Sequence, residues 1–154
     1  MKLKFQKGIT LVEILLVIGI VFILSTILLT SFTNLRSNQA IMKNTETVVA
    51  VLRQARNQTL SSKNSSVYGV HFATSTITLF TGGTYSSLNS TNQDFIFPSS
   101  DSILTTTLNG NGKDVVFNRL SGETSQNGTI VISSPRVSLT KTVTIYKTGL
   151  VESQ

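Results

Sequence analysis

The sequence predicts an α+β fold: one long N-terminal helix followed by an antiparallel β-rich domain. Three observations carry that expectation. From Ile14 to Leu35 there are 22 residues without a charged side chain, and at about 1.5 Å rise per residue such a helix is about 33 Å long, enough to cross a bilayer's hydrocarbon core. Apolar or small residues then recur at Ile41, Thr45, Val48, Leu52, Ala55 and Thr59 in alternating steps of four and three, which places them on one helical face. Beyond them, short β-branched and aromatic runs are punctuated by Asn-Gly and Ser-Gly pairs, a pattern of strands and reversals.

The N-terminus carries more than an anchor requires. Lys2, Lys4 and Lys7 precede the apolar run, and basic residues beside a first hydrophobic segment stay in the cytoplasm, so the remainder of the chain is expected outside it. Gly8 separates those lysines from the run, and a residue without a side chain gives a peptidase access to extended backbone. Glu13 is a lone carboxylate within otherwise uncharged sequence. Its burial in lipid is unfavourable by up to roughly 3 kcal/mol at the centre of a span and by less near an end. An isolated acid of this kind calls for a partner.

The stretch Gly8-Ile9-Thr10-Leu11-Val12-Glu13-Ile14-Leu15-Leu16-Val17-Ile18 resembles the class III signal of type IV prepilins and pseudopilins, in which a basic leader ends in glycine and the fifth mature residue is glutamate. The resemblance implies that an inner-membrane prepilin peptidase cuts between Gly8 and Ile9 and methylates the new amino terminus. It also implies that the Glu13 carboxylate meets the N-terminal amine of a neighbouring subunit in a filament core. Ile9 stands where phenylalanine is commonest in the family. Two other readings compete. A secretory signal peptide has an apolar core of roughly 7–15 residues and a small-residue exit, which this longer run lacks. A plain N-terminal anchor accounts for the length and the lysines but not for Gly8 and Glu13 at their spacing.

Four segments follow: a leader over 1–8, a transmembrane and filament-core helix over 9–33, an amphipathic half over 34–62, and a β-rich extracytoplasmic domain over 63–154. One helix is expected from about Thr10 to Leu60, with room for a bend near Ser31 to Asn38, where Ser, Thr and Asn compete for backbone hydrogen bonds. Val49 and Val51 broaden its apolar stripe, whereas Lys43, Glu46, Arg53 and Arg56 fall largely outside it. Strands are expected at 67–73, 76–80, 94–97, 102–108, 114–118, 129–133 and 142–146, with a hairpin at Thr74-Ser75. Asn109-Gly110, Ser121-Gly122 and Asn127-Gly128 supply residues tolerant of positive φ at the reversals. The stretch Gly82 to Gln93 has little apolar content and reads as an exposed variable loop.

The later segments narrow the resemblance. Val48 to Leu60 is similar to the L-x-x-A-R-x-x-A helix segment of H-type minor pseudopilins and their type IV pilus relatives, with Thr59 where many relatives have alanine. Val115 to Gly122 resembles that group's phenylalanine-to-glycine turn, Gly128 to Ile132 its following strand, and Val143 to Tyr146 with Gly149-Leu150-Val151 its terminal strand and glycine.

At 154 residues the chain has room for one domain beyond the anchor. There is no cysteine, which excludes disulfide staples and thiolate metal sites. The formal charge of +6 falls to +3 without the leader, because residues 9–154 hold ten Lys/Arg against seven Asp/Glu. His71 is the only histidine, and no set of converging partners for catalysis is visible around it. Asp94 with Asp101, and Asp114 with Glu123, are the carboxylate pairs that a fold could bring together; caps and solvated groups are their better reading. No G-x-x-x-x-G-K loop is present, so energy for assembly comes from another protein. No enzyme activity, cofactor or metal is expected. Arg53, Arg56 and Lys63 form a candidate basic patch, joined later in the chain by Arg119, Arg136, Lys141 and Lys147. DNA is the ligand such cations would take, but Tyr68, Tyr85 and Tyr146 form no stacking row, and solvated charges or subunit contacts explain the cations better. The sequence therefore reads as a structural subunit of a type II secretion pseudopilus or type IV pilus-like filament. Its partners would be prepilin peptidase, other pilins or pseudopilins, the inner membrane, and indirectly an assembly platform and ATPase. The alternatives are a minor pilin acting in adhesion or DNA uptake, and a plain anchored extracytoplasmic domain.

Overall fold

The computed structural model of the chain describes residues 8–98 and 101–154, and for 27–34 the backbone alone. The expected leader lies outside the described residues except for Gly8. Helix α1 runs Leu11–Leu60, 50 residues. It starts where Thr10 Oγ1 accepts the Glu13 N–H at 3.2 Å, an N-cap that satisfies one of the first turn's free donors. It ends where Ser62 takes a left-handed φ of 49° and leads into a 3₁₀ turn at Lys63–Ser65. Hydroxyls inside the helix bond back to its own carbonyls, Ser25 Oγ to Val21 O and Thr26 Oγ1 to Ile23 O, both at 2.7 Å. Polar residues in the apolar stretch thus bring their own acceptors.

The chain divides into two compact units between Arg36 and Ser37. In the second unit the predicted stripe is the buried face of α1. Ile41, Val48, Leu52, Ala55 and Thr59 have no exposure, and Thr45, Val49 and Val51 are also buried. Eight strands follow among the described residues: β1 Tyr68–Phe72, β2 Thr76–Thr81, β3 Gln93–Ile96, β4 Ser102–Leu108, β5 Asp114–Val116, β6 Gly128–Ser134, β7 Leu139–Ile145 and β8 Val151–Ser153. Every pairing among them is antiparallel.

The strands form two four-stranded sheets, in the orders β3-β2-β1-β5 and β4-β6-β7-β8, where the sequence suggested a single one. The chain changes sheet at β3–β4, again at β4–β5, where β5 returns to pair with β1, and at β5–β6. β3 pairs with β2, whereas β4 pairs with β6, and Pro98 between them has no N–H to give to a ladder. Val70, Phe72, Ile77 and Leu79 of the first sheet and Ile130, Ile132, Val143 and Ile145 of the second join the helical stripe in one hydrophobic cluster. This is the α+β layering that the element order implies. β8 is a strand the sequence reading left as a terminal pattern, and β7 starts three residues earlier than expected.

Thr59 explains its own departure from alanine. Its hydroxyl donates to Ala55 O at 2.9 Å and accepts the Tyr68 N–H at 2.9 Å, joining the last turn of α1 to the first residue of β1 with no exposure to water. Thr59→Val keeps the volume but leaves the Tyr68 N–H unpaired in the core. A loss of about 1–2 kcal/mol is expected, measurable as a lower midpoint in chemical denaturation; an unchanged midpoint would show that the bond contributes nothing.

Candidate functional site

Among the described residues, no helix is long and apolar enough to cross a membrane. The described side chains of the apolar run stop at Thr26, so the part of the expected 9–33 span beyond it lies outside them. What the first unit does show is a helix surface that water cannot favour. From Ile9 to Leu24 every large apolar side chain is exposed, from 49% at Ile14 to 75% at Leu11. Since these positions run consecutively, they cover the helix on all sides rather than along one stripe. A helix apolar all round requires lipid or other helices as surroundings.

Glu13 is the one charged residue on that surface. Steps of four place Ile9, Glu13 and Val17 in one row, and with Ile14 and Ile18 they line a shallow depression of about 230 Å³. The carboxylate belongs to the first turn of α1, where the unsatisfied N–H groups and the helix dipole favour negative charge. Thr10-Leu11-Val12-Glu13 has the Thr-x-x-Glu spacing of a capping box, a signal in the sequence that would have located this helix start. Gly8 and Ile9 are exposed, and a Cβ at Gly8 would meet nothing within 4 Å.

The candidate basic patch has another use for two of its members. Arg56 Nε donates to Gly122 O at 3.1 Å and its Nη2 to Thr148 O at 3.4 Å. Arg53 Nη2 donates to Val151 O at 3.2 Å. Guanidinium forks suit such fixed sets of acceptors. Lys63 is exposed in the 3₁₀ turn. The arginines thus bind the end of α1 to two turns of the domain, at 118–122 and 146–150. Gly149 closes the arrangement: with φ +77°, its missing Cβ would overlap Gly122 O and stand 2.8 Å from Arg56 Nε. Three segments singled out by resemblance, the helical Ala-Arg, the turn ending in Gly122 and the terminal glycine, converge on one guanidinium.

Three of the four carboxylates considered from sequence have other partners, and Glu123 is exposed. Asp94 accepts from Thr78 at 2.5 Å, Asp101 from the buried Asn44 amide at 2.6 Å, and Asp114 bonds His71 at 2.5 Å. The Asn44–Asp101 bond, which fixes α1 to the entrance of β4, carries no signal in sequence spacing because 57 residues separate its ends. Tyr146 Oη donates to Glu152 at 2.9 Å; that bond, together with the nearby negative charge, raises the phenol above its ordinary pKa. Among the described residues, no three His, Cys, Asp or Glu side chains gather to hold a metal ion.

The family model of Type II transport protein GspH matches residues 29–149. The chain belongs to the GspH family. No curated protein and no solved structure matches it. GspH is a family of structural pseudopilins rather than enzymes. The match covers the amphipathic half of α1 and nearly all of the β-domain, including Arg56, Gly122 and Gly149. It begins after Leu28, so the Gly8 and Glu13 pattern is a separate observation from the family assignment.

Proposed function

We propose that this GspH-family chain is a minor pseudopilin of a type II secretion filament, matured by removal of residues 1–8 and assembled through its apolar helix. The observation that carries the reading is the surface from Ile9 to Leu24, apolar on every side and bearing a single carboxylate at Glu13. In this reading prepilin peptidase cuts between Gly8 and Ile9 on the cytoplasmic face and methylates the Ile9 amine. The subunit waits in the inner membrane with its N-terminus inside and residues 37–154 outside. Assembly then moves the helix from lipid into a bundle of neighbouring helices, with the platform and its ATPase supplying the work. That step exchanges one apolar environment for another, so packing and charge, more than hydrophobic transfer, select the arrangement. Glu13 favours the register that brings its carboxylate to the amine of the next subunit, because two desolvated charges cost less paired than apart.

The first test is the mature N-terminus. Mass spectrometry of protein isolated from its own host's membranes is expected to find a chain beginning at Ile9 with one added methyl group on its amine. A chain still beginning at Met1 would contradict the maturation step and favour a plain anchor.

A further inference from the structure

Each sheet has two outer strands, β3 and β5 in the first and β4 and β8 in the second. An outer strand turns alternate N–H and C=O groups away from its neighbour, and such groups pair with another chain unless something occupies them. Three of these strands are bonded on that side by a group from elsewhere in the domain. On β5 the Val116 N–H donates to Gln126 Oε1 at 3.2 Å. On β8 Val151 O accepts from Arg53 Nη2 at 3.2 Å, and on β4 the Ile103 N–H donates to Thr74 O at 2.8 Å.

β3 is the exception. The Phe97 N–H donates to Ser75 O at 2.8 Å, which sets the phase of the ladder: with Phe95 opposite Ile77 and Gln93 opposite Leu79, residues 93, 95 and 97 bond toward β2. Asp94 and Ile96 therefore turn their N–H and C=O groups outward. Among the described residues nothing bonds to those groups. Both residues are exposed, Ile96 by 76%. The next positions in phase close the stretch, because the Asn92 N–H donates to Asn89 O at 3.2 Å and Pro98 has no N–H. The connection from β2, residues 82–92, is drawn inward over the sheet instead of along its edge. Its Tyr85 ring stacks on the His71 imidazole of β1, with centroids 3.9 Å apart and planes within 6°.

The side chains beside this edge specify what would fill it. An added antiparallel strand sets one residue directly opposite Asp94 and another opposite Ile96, both on the face away from the hydrophobic cluster, and between them one opposite Phe95 on the inner face. Asp94 Oδ1 accepts from Thr78 Oγ1 at 2.5 Å, and among the described residues no cation pairs with the carboxylate. A lysine or arginine opposite would complement it. Ile96 calls for an apolar neighbour, and so does Phe95, which is partly buried against the hydrophobic cluster. We infer that the β3 edge docks an extended segment of another protein whose residues run apolar, apolar, basic from N to C, added to the first sheet as a further strand. A second copy of β3 fits less well. Paired with itself it sets Asp94 opposite either Ile96 or Asp94, and neither supplies a cation.

The inference does not depend on filament assembly and is tested on the full chain in neutral detergent micelles, by amide NMR during titration with two capped peptides. One is Thr-Val-Val-Lys-Thr-Thr; the other has glutamate in place of the lysine. The lysine peptide is expected to shift the Asp94 and Ile96 amides, to leave those of β6 and β7 in place, and to bind about fivefold more tightly than the glutamate peptide. Asp94→Lys should reverse that order. Ile96→Pro removes only an outward N–H, which an outer strand tolerates, so the variant should melt close to wild type while its affinity for the lysine peptide falls about fivefold. If Ile96→Pro does not fold, the reversal in Asp94→Lys decides the matter. Equal affinity for the two peptides, or shifts centred away from β3, would overturn the inference. Concentration-dependent broadening of the Asp94 and Ile96 amides without peptide would overturn it too, by assigning the edge to a second copy.

Discussion

Replacing Gly149 with alanine is expected to lower the stability of the β-domain by about 3 kcal/mol, through left-handed strain of about 1–2 kcal/mol together with displacement of neighbouring backbone. The contribution from contacts is the larger. At φ +77° the added Cβ meets the carbonyl oxygen of Gly122 and stands 2.8 Å from Arg56 Nε and 3.1 Å from its Cδ. Backbone cannot swing aside as the end of a long side chain can. Relief requires the 146–150 turn to withdraw, and withdrawal lengthens the Arg56 bonds to Gly122 O and Thr148 O. The arginine then keeps its charge half-buried with fewer acceptors, a penalty beyond the lost bonds themselves. In a domain of this size the melting temperature should fall by roughly 10 °C. Gly83→Ala is the control, because a Cβ there meets nothing within 4 Å, and it should melt within a degree or two of wild type. Equal melting of Gly149→Ala and wild type would mean that the two turns are not held together as described.

The same cluster shows what a sequence can and cannot disclose. The apolar run placed the start of α1 to within a residue, and periodicity its second half and its end, because burial of one helical face imposes spacings of three and four that the alphabet records directly. Ser102–Leu108 was legible for a similar reason, as a β-branched run bounded by turn residues. The division into two sheets was not: strand pairing is decided across dozens of residues, and Pro98 marks only the first of the three places where the chain changes sheet. Arg56 was read as part of a patch because a guanidinium outside an apolar stripe usually faces water. Its acceptors, Gly122 O and Thr148 O, lie 66 and 92 residues away, and backbone carbonyls have no sequence signature. The stretch 82–93 was read as open from its Ser, Thr, Asn and Gly content. That is sound for most of it, but one tyrosine above a histidine in register with an aspartate docks it, and no spacing within the loop reports a contact made to β1.

The two arguments for a pseudopilin are independent in location and in kind. The family match rests on residues 29–149, where helix stripe, turns and Arg56 define a fold. The maturation pattern rests on Gly8, Ile9 and Glu13, where the chain has no globular packing to explain its residues. A domain match alone would leave the anchor generic; the anchor alone would leave the domain unspecified.

Glu13→Ala is expected to abolish entry into the filament while leaving the protein in the membrane. The two effects separate because they rest on different free energies. In lipid the carboxylate is a liability, so removing it makes insertion of the apolar helix no less favourable, and carbonate extraction should leave the variant in the pellet. In a helix bundle the carboxylate's proposed partner is a neighbour's amine, and deleting one member of a desolvated pair costs about 3–5 kcal/mol because the other charge is left uncompensated. That is a drop of more than roughly a hundredfold in the equilibrium for joining the assembly. The fraction of subunit recovered in sheared filaments, divided by the fraction in membranes, reports the ratio. Glu13→Gln keeps the shape and some hydrogen bonding of the side chain but removes the charge, so it should be nearly as defective; if it assembled normally while Glu13→Ala did not, polarity and not the ion pair would be the determinant. Normal recovery of both variants would assign the selection of register to the packing of Ile9, Ile14, Val17 and Ile18, and the charge would then have no part in assembly.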